Sequence, residues 1–402
     1  MKYPFVNTRL FVCLLLILSA SSISFSQDRI ARQLSDKANI SLLTCSAGEE
    51  LYSVFGHTAI RVSDPENEID LVFNYGTFDF NTPFFYLKFG HGNLDYLLSV
   101  STFKRFMREY FMESRSVWEQ ELGMSNQRKE RLFEALMLNA QPENRAYEYD
   151  FFYDNCATRV ADIILEQFNE ESIDFKDDDL HPKQLTFREA IHPYLASKPW
   201  TKLGIDLILG SPADARTDSL SIMFLPDHLM TQFSGIHLSS EGRSRKIVSE
   251  TTVLLDFTDK KKESTNWFSP LVTFWLLFIV ITLLSAAEAY GTINLRFFDA
   301  GLFAIAGLLG ILIFYLSWIS NHQVTSPNWN FLWANPLWVL LITNVTNKFK
   351  GVIRFIEAGA IIIFFFTTLT GSQFIPNEVF PIVLILLVRD IRPFRWWLSA
   401  AK

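Results

Sequence analysis

The sequence predicts a two-part membrane protein: an α+β extracytoplasmic domain over residues 27–265, then an all-α transmembrane domain of about five helices over 266–402. Three observations predict it. Charged residues crowd into the first part of the chain and long apolar runs into the rest, so the mean hydropathy of +0.15 averages a polar domain with a membrane one. Short apolar stretches ended by Gly or polar turns alternate with helix-like segments throughout the first part. The N-terminus places Lys2 and Arg9 before an apolar run from Leu10 to Leu18, then small residues including Ser24 and Ser26. That is the pattern of a signal peptide over residues 1–26, cut after Ser26. The run is too short to span a bilayer, and Cys13 lies inside it, so the mature chain is not expected to be a lipoprotein.

After the signal, Ile40–Thr44 and His57–Val62 read as short strands with a turn or helix start at Ser46–Glu50 between them. Leu71–Tyr75 reads as the next strand, ended by Gly76. Residues 83–113 are rich in aromatics and suggest a loop followed by strands or an amphipathic helix. Ser125 is a plausible N-cap for a helix running to Leu138. Tyr147–Tyr153 alternates weakly into Asp154-Asn155-Cys156-Ala157-Thr158-Arg159. A helix follows over Ala157–Phe168 with Val160, Ile163 and Ile164 on one face. An acidic loop at Glu170–Asp179, ordered segments at 204–212 and 224–228, and a polar linker at Lys260–Ser264 complete the domain.

The membrane half predicts spans near 268–288, 298–318, 331–346, 353–370 and 375–389, the third and fifth short and containing Pro336 and Pro381. Arg296, then Lys348, Lys350 and Arg354, then Arg389, Arg392, Arg395 and Lys402 mark one side; loops 319–330 and 371–376 hold no Lys or Arg. Basic residues mark the cytoplasmic side, so the C-terminus is expected in the cytoplasm and residues 27–265 in the periplasm, in an inner-membrane protein. Trp267, Trp329, Trp333, Trp396 and Trp397 fall near span ends, where interfacial aromatics belong.

Composition excludes some classes. A formal charge of −7 with no basic stripe argues against nucleic acid as a partner. His91, His181, His192, His228 and His237 are scattered, with no H-x-x-x-H or C-x-x-C pair, so neither metal nor cofactor is expected. No carboxylate pair stands out for glycoside hydrolysis. Cleavage of the signal leaves Cys45 and Cys156. Two cysteines outside the cytoplasm invite a disulfide; the sequence favours one structural and one reactive thiol instead.

The constellation with most chemistry is His57 in FGHTAIRV with Cys156 in DNCATR. A strand after Gly56 puts His57, Ala59 and Arg61 on one face and Thr58, Ile60 and Val62 on the other. Cys156 enters a helix, where unpaired N–H groups and the dipole favour a thiolate and are able to hold an oxyanion. A nearby imidazole acts as base in such a unit. The bland reading is a small buried cysteine and a structural histidine. A polar and aromatic loop after the second span, with His322, Asn328, Asn330 and Trp333, reads either as a lipid-facing substrate platform or as an interfacial belt with a helix cap, the second being the commoner.

Three blocks, Ile40–Val62 (ISLLTCSAGEELYSVFGHTAIRV), Phe73–Phe80 (FNYGTFDF) and Tyr149–Arg159 (YDFFYDNCATR), resemble the Lnb N-terminal periplasmic domain family over about residues 38–170. Proteins related to Lnb act as lipoprotein N-acyltransferases, moving an acyl chain of the lipid-modified N-terminal cysteine to its own amine. The order of His then Asn-Cys is also similar to permuted papain-like folds that form a thioester. The resemblance therefore implies a permuted papain-like domain, Cys156 as nucleophile and His57 as base, with Asn155, Arg61 and Tyr75 as candidates to orient the base or bind the oxyanion. It leaves a role for Cys45 open. It implies a membrane lipid or lipoprotein substrate; a cell-wall cysteine amidase or peptidase, and a non-catalytic membrane-assembly protein, are the alternatives.

Overall fold

The computed structural model describes residues 33–175, 185–240, 243–258, 268–343 and 346–390. The expected signal peptide, the polar linker and the basic C-terminal tail lie outside the described residues, as does part of the acidic loop.

The outer domain is organised by a seven-stranded sheet in the order β10-β5-β1-β2-β3-β4-β6, every neighbour pair antiparallel. Its strands are β1 (Asn39–Cys45), β2 (His57–Asp64), β3 (Ile69–Thr77), β4 (Asp95–Thr102), β5 (Val117–Leu122), β6 (Ala146–Glu148) and β10 (Val248–Leu255). Helices α1 (Phe85–His91), α2 (Phe103–Met112), α3 (Asn126–Asn139) and α4 (Cys156–Leu165) fill the connections. A smaller sheet pairs β7 (Ser172–Phe175), β8 (Ile236–Ser240) and β9 (Arg243–Lys246) in that order.

Alternation along the strands explains the layering. Ile40, Leu42, Ile60, Val62 and Phe73 point to one face and are sealed by Leu132, Phe133 and Leu136 of α3 and Val160 and Ile164 of α4. Leu43, Cys45, Ala59 and Val72 point to the other, under Phe106 and Tyr110 of α2. β1 lies inside the sheet, so its apolar run is buried on both faces. Ser125 caps α3 by accepting from the Arg128 N–H, as its sequence position suggested. β5 and β10 carry no clear strand pattern in sequence. Glu119 and Glu121 of β5 sit on a polar stretch of the open face, where Arg61 meets Glu119 at 3.1 Å.

Residues 185–235 build a docking layer from α5 (Phe187–Ile191), α6 (Pro199–Ile208) and α7 (Pro226–Gly235). Its core includes Phe152, Phe187, Ile191, Leu209 and Phe224, and also Val324 from between the membrane helices. One hydrophobic cluster thus spans both halves of the chain. The fully buried Arg188 anchors the layer, paired with Asp206 and Asp214 and donating to the carbonyls of Leu209 and Gly210.

The helical half contains α8 (Pro270–Ala289), α9 (Arg296–Trp318), α10 (Leu337–Leu340), α11 (Asn347–Thr370) and α12 (Val379–Asp390). Among the described residues three helices are long and apolar enough to cross a membrane, within α8, α9 and α11. The segment expected as a third span is not one continuous helix. A 3-10 turn over Trp329–Leu332 and the one-turn α10 occupy it, with Asn335-Pro336 between them. Proline lacks an amide hydrogen and disfavours helix in the residue before it. This segment lies against α9, where Gly307 and Gly310 leave room: a Cβ on Gly310 would stand 2.4 Å from the Asn335 backbone. Arg389, counted in sequence as a charge marking the cytoplasmic side, is buried and bonded to Asp299 at 2.6 Å and to Glu288 and Ser285 at 2.8 Å, tying α12 to α8 and α9.

Candidate active site

The site begins with the way α4 starts. Asn155 is its N-cap: the side-chain oxygen accepts from Ala157 N–H (2.7 Å) and Thr158 N–H (3.0 Å), while Thr158 Oγ1 accepts from Asn155 N–H (2.8 Å). The Asn155 amide nitrogen donates to the carbonyls of Phe151 and Phe224, both at 2.8 Å. Every polar atom of this side chain is engaged. Asn155 therefore fixes the helix start and is not free to touch a substrate.

Cys156 is the first residue of α4, half-buried against the ends of β2 and β3. Gly76 at the end of β3 makes this approach possible: a Cβ there would lie 3.1 Å from that of Cys156, and its φ of 83° suits glycine. Burial pushes the thiol up to about 11, opposed by the N–H groups of Thr58, Cys156 and Ala157 and by Arg115. The sulfur is thus a neutral thiol at rest, already addressed by amide donors.

His57 begins β2 after Gly56, whose φ is 86°. Its half-buried ring stacks on Tyr110 at 6.5 Å. Burial and the positive charge of Arg115 push the imidazole down to about 4, while a hydrogen bond to the Asn74 side chain works upward. Asn74 sits on β3, adjacent to β2, and is buried. Sequence reasoning missed this partner. Among the described residues no hydrogen bond joins the His57 ring to the Cys156 sulfur; the two meet through Thr58, which follows His57 and offers its N–H to the thiol. Among the described residues Thr58 Oγ1 is buried there without a hydrogen-bond partner, and the buried Tyr147 hydroxyl is met by the Gly76 N–H.

The other candidates are placed elsewhere. Arg61 is consumed by Asp70 and Glu119 and lies over the Phe103 ring, two pleats along β2 from His57. Tyr75 accepts from Asn139 at 2.8 Å and packs in the core beside Cys156. Both read as structural. Cys45 is a free, buried thiol, as is the half-buried Cys156, so no disulfide joins them. Burial pushes Cys45 to about 12. The loop read as either a lipid-facing platform or an interfacial belt with a helix cap also joins the two halves. Asn328 and Asn330 donate to the Leu207 carbonyl at 2.9 and 3.3 Å, Asn330 accepts from the buried Trp333 indole, and His322 meets the Phe89 carbonyl at 3.1 Å.

The Lnb N-terminal periplasmic domain family matches residues 27–191, and the Lnb transmembrane domain family matches residues 261–398. The chain belongs to the Lnb family. Its Lnb architecture makes it a membrane protein whose N-terminal domain is extracytoplasmic, and the α/β domain followed by apolar helices agrees with that pairing. No curated protein and no solved structure matches this Lnb chain.

Proposed function

We propose that this Lnb-family chain is a thiol-dependent acyltransferase of the inner membrane, taking an acyl group from a membrane lipid or lipoprotein and passing it to an amine, most simply the N-terminal amine of a lipoprotein. One observation carries the reading: a thiol held at a helix start by amide N–H groups, joined through one residue to an imidazole that has its own buried amide partner. The surroundings favour an apolar substrate over a cell-wall peptide, since Tyr75, Tyr147 and Tyr149 line the core against Cys156.

The chemistry balances in two steps. His57 takes the thiol proton as the sulfur attacks the ester carbonyl; the carbon–oxygen bond breaks, and His57 returns the proton to the leaving alkoxide. The amine then attacks the Cys156 thioester, the carbon–sulfur bond breaks, and the amine proton passes through His57 to the departing sulfur. Asn74 orients the ring and favours its protonated form. The Cys156 N–H and the buried hydroxyls of Thr58 and Tyr147 are the candidate oxyanion donors. Anchoring to the bilayer raises the effective concentration of a substrate that stays in the lipid.

The test is intact-protein mass spectrometry of the full chain in phospholipid vesicles. One acyl adduct, mapped to Cys156 and absent from Cys156→Ala, is expected. An unmodified Cys156 across phospholipid and diacylated lipoprotein donors refutes the thioester mechanism.

A further inference from the structure

Between β3 and β4 the outer domain shows an apolar surface that no core absorbs. Phe84, Tyr86 and Leu87 are 76%, 81% and 70% exposed. They are not scattered single residues. Phe78, Phe80 and Phe85 pack ring to ring at 4.9–5.7 Å, and Tyr52 joins them at 6.2 and 6.5 Å, so the surface is a connected one. Phe84, just before α1, has a φ of 59°, in the left-handed region that bulky side chains avoid.

The contacts of α1 identify what covers this surface. The Asn321 N–H donates to the His91 carbonyl at 2.8 Å, His91 Nδ1 meets the Tyr315 hydroxyl at 2.8 Å, and His322 Nε2 meets the Phe89 carbonyl at 3.1 Å. Tyr315 is in the last turn of α9, one of the helices able to span the membrane. α1 is therefore fixed where α9 leaves the bilayer, and an apolar face at that level meets the headgroup and acyl boundary.

From the surface a line of rings leads inward. Phe78 meets Tyr96 at 5.5 Å, and Tyr96 stacks on Tyr149 at 4.2 Å. Tyr149 and Cys156 pack against the same hydrophobic cluster.

We propose that α1 and the preceding Phe78–Phe84 segment form a wedge inserted in the leaflet on the outer domain's own side, gripping the acyl chains of its lipids. Insertion depends only on the spanning helices. Use of the ring path to bring an acyl carbonyl to Cys156 rests on the acyltransferase reading.

The full chain, reconstituted in nanodiscs with a phospholipid carrying a diazirine in its acyl chain, is photolysed and its adducts mapped. Adducts are expected on residues 80–89 as well as on the spanning helices; adducts on the helices with none on 80–89 overturn the wedge. A second measurement labels Tyr86→Cys and, at the far edge of the sheet, Val253→Cys with a polarity-sensitive fluorophore, correcting for the unsubstituted chain. Brominated phospholipid is expected to quench the Tyr86→Cys label at least about twofold more than the other. Equal quenching overturns the proposal. A chain whose 80–89 peptide takes up the photolipid while Cys156 never acylates refutes the acyltransferase reading and leaves the wedge standing.

Discussion

Cys45 and His57 stand directly opposite each other at the ends of β1 and β2, and Tyr110 reaches both, stacked on the imidazole and hydrogen-bonded to the thiol. The cysteine beside the histidine is therefore not the proposed nucleophile. Burial pushes both thiols up, but Cys45 is sealed inside the sheet while Cys156 is only half-buried, so on the proposed reading Cys45 serves as a wall of the histidine pocket. Cys45→Ser is expected to keep acyl transfer within about tenfold of wild type, under ~1.4 kcal/mol in barrier. Lipoproteins from cells carrying each variant, compared by mass for acyl-chain position, check this. A dead Cys45→Ser beside a working Cys156→Ser reverses the assignment.

Members of one nucleophile–base unit fail together. Cys156→Ser is expected to abolish transfer, and His57→Ala to lower it by about 10²–10⁴. The double variant should be little worse than the poorer single one. Asn74→Ala removes one buried hydrogen bond of about 1 kcal/mol, so a loss near fivefold to tenfold is expected, carried by kcat. Because Asn74 favours the protonated ring, the variant's acidic pH limb should move further down. An unchanged pH profile would reduce Asn74 to a packing role.

The His57 ring also makes stability depend on pH. Its folded value of about 4 lies below its ordinary 6.5, so between these the unfolded chain binds a proton that the folded chain refuses. The contribution is complete above pH 6.5 and is lost as pH falls through about 4, at most about 3 kcal/mol for a ring that keeps some exposure. Thermal melts in detergent at pH 7 and pH 4.5 should show a smaller drop for His57→Gln than for wild type. Identical drops would show that the ring titrates normally.

The joint between α9 and the 335–339 segment is expected to be intolerant. Gly310→Leu puts a side chain where the Asn335 backbone lies 2.4 Å from an ideal Cβ, and overpacking of this kind costs about 1–3 kcal/mol. Gly301→Leu, where an added Cβ meets nothing within 4 Å, is the control. Detergent melting that ranks the two equally would refute the close contact.

The proposed orientation has its own check. A reporter active only in the periplasm, fused after Lys402, is expected to be silent, because Lys348, Lys350 and Arg354 mark the cytoplasmic side. Reporter activity would invert the assignment.

Much of this was legible because its signals are local. The short strand-like runs of β1 to β3, the Ser125 cap and the Asn155-Cys156 helix start are each written in a few adjacent residues. β5 was not legible, since Glu119 gains its meaning from Arg61 on a strand two places away in the sheet. The segment around Asn335-Pro336 reads as apolar enough for a span, yet its turns are held by Asn330, Trp333 and Gly310, which sequence alone does not bring together. Asn74 was missed for the same reason. The pairing of Ile60 with Phe73 sets Asn74 opposite Ala59, diagonal to His57, and counting outward from the Pro65–Glu68 turn is the signal that would have found it.

The Val324 cluster and the bonds from Asn328 and Asn330 to the Leu207 carbonyl have a mechanical consequence. A domain hung on a single tether samples many heights above a bilayer; one whose core continues into the loop between spanning helices keeps a single standoff. On the proposed acyltransferase reading α9 then works as a ruler, and Cys156 would meet only carbonyls presented at one depth. Lengthening α9 by a turn would lift the thiol about 5 Å, so the same chemistry would face a different part of the lipid.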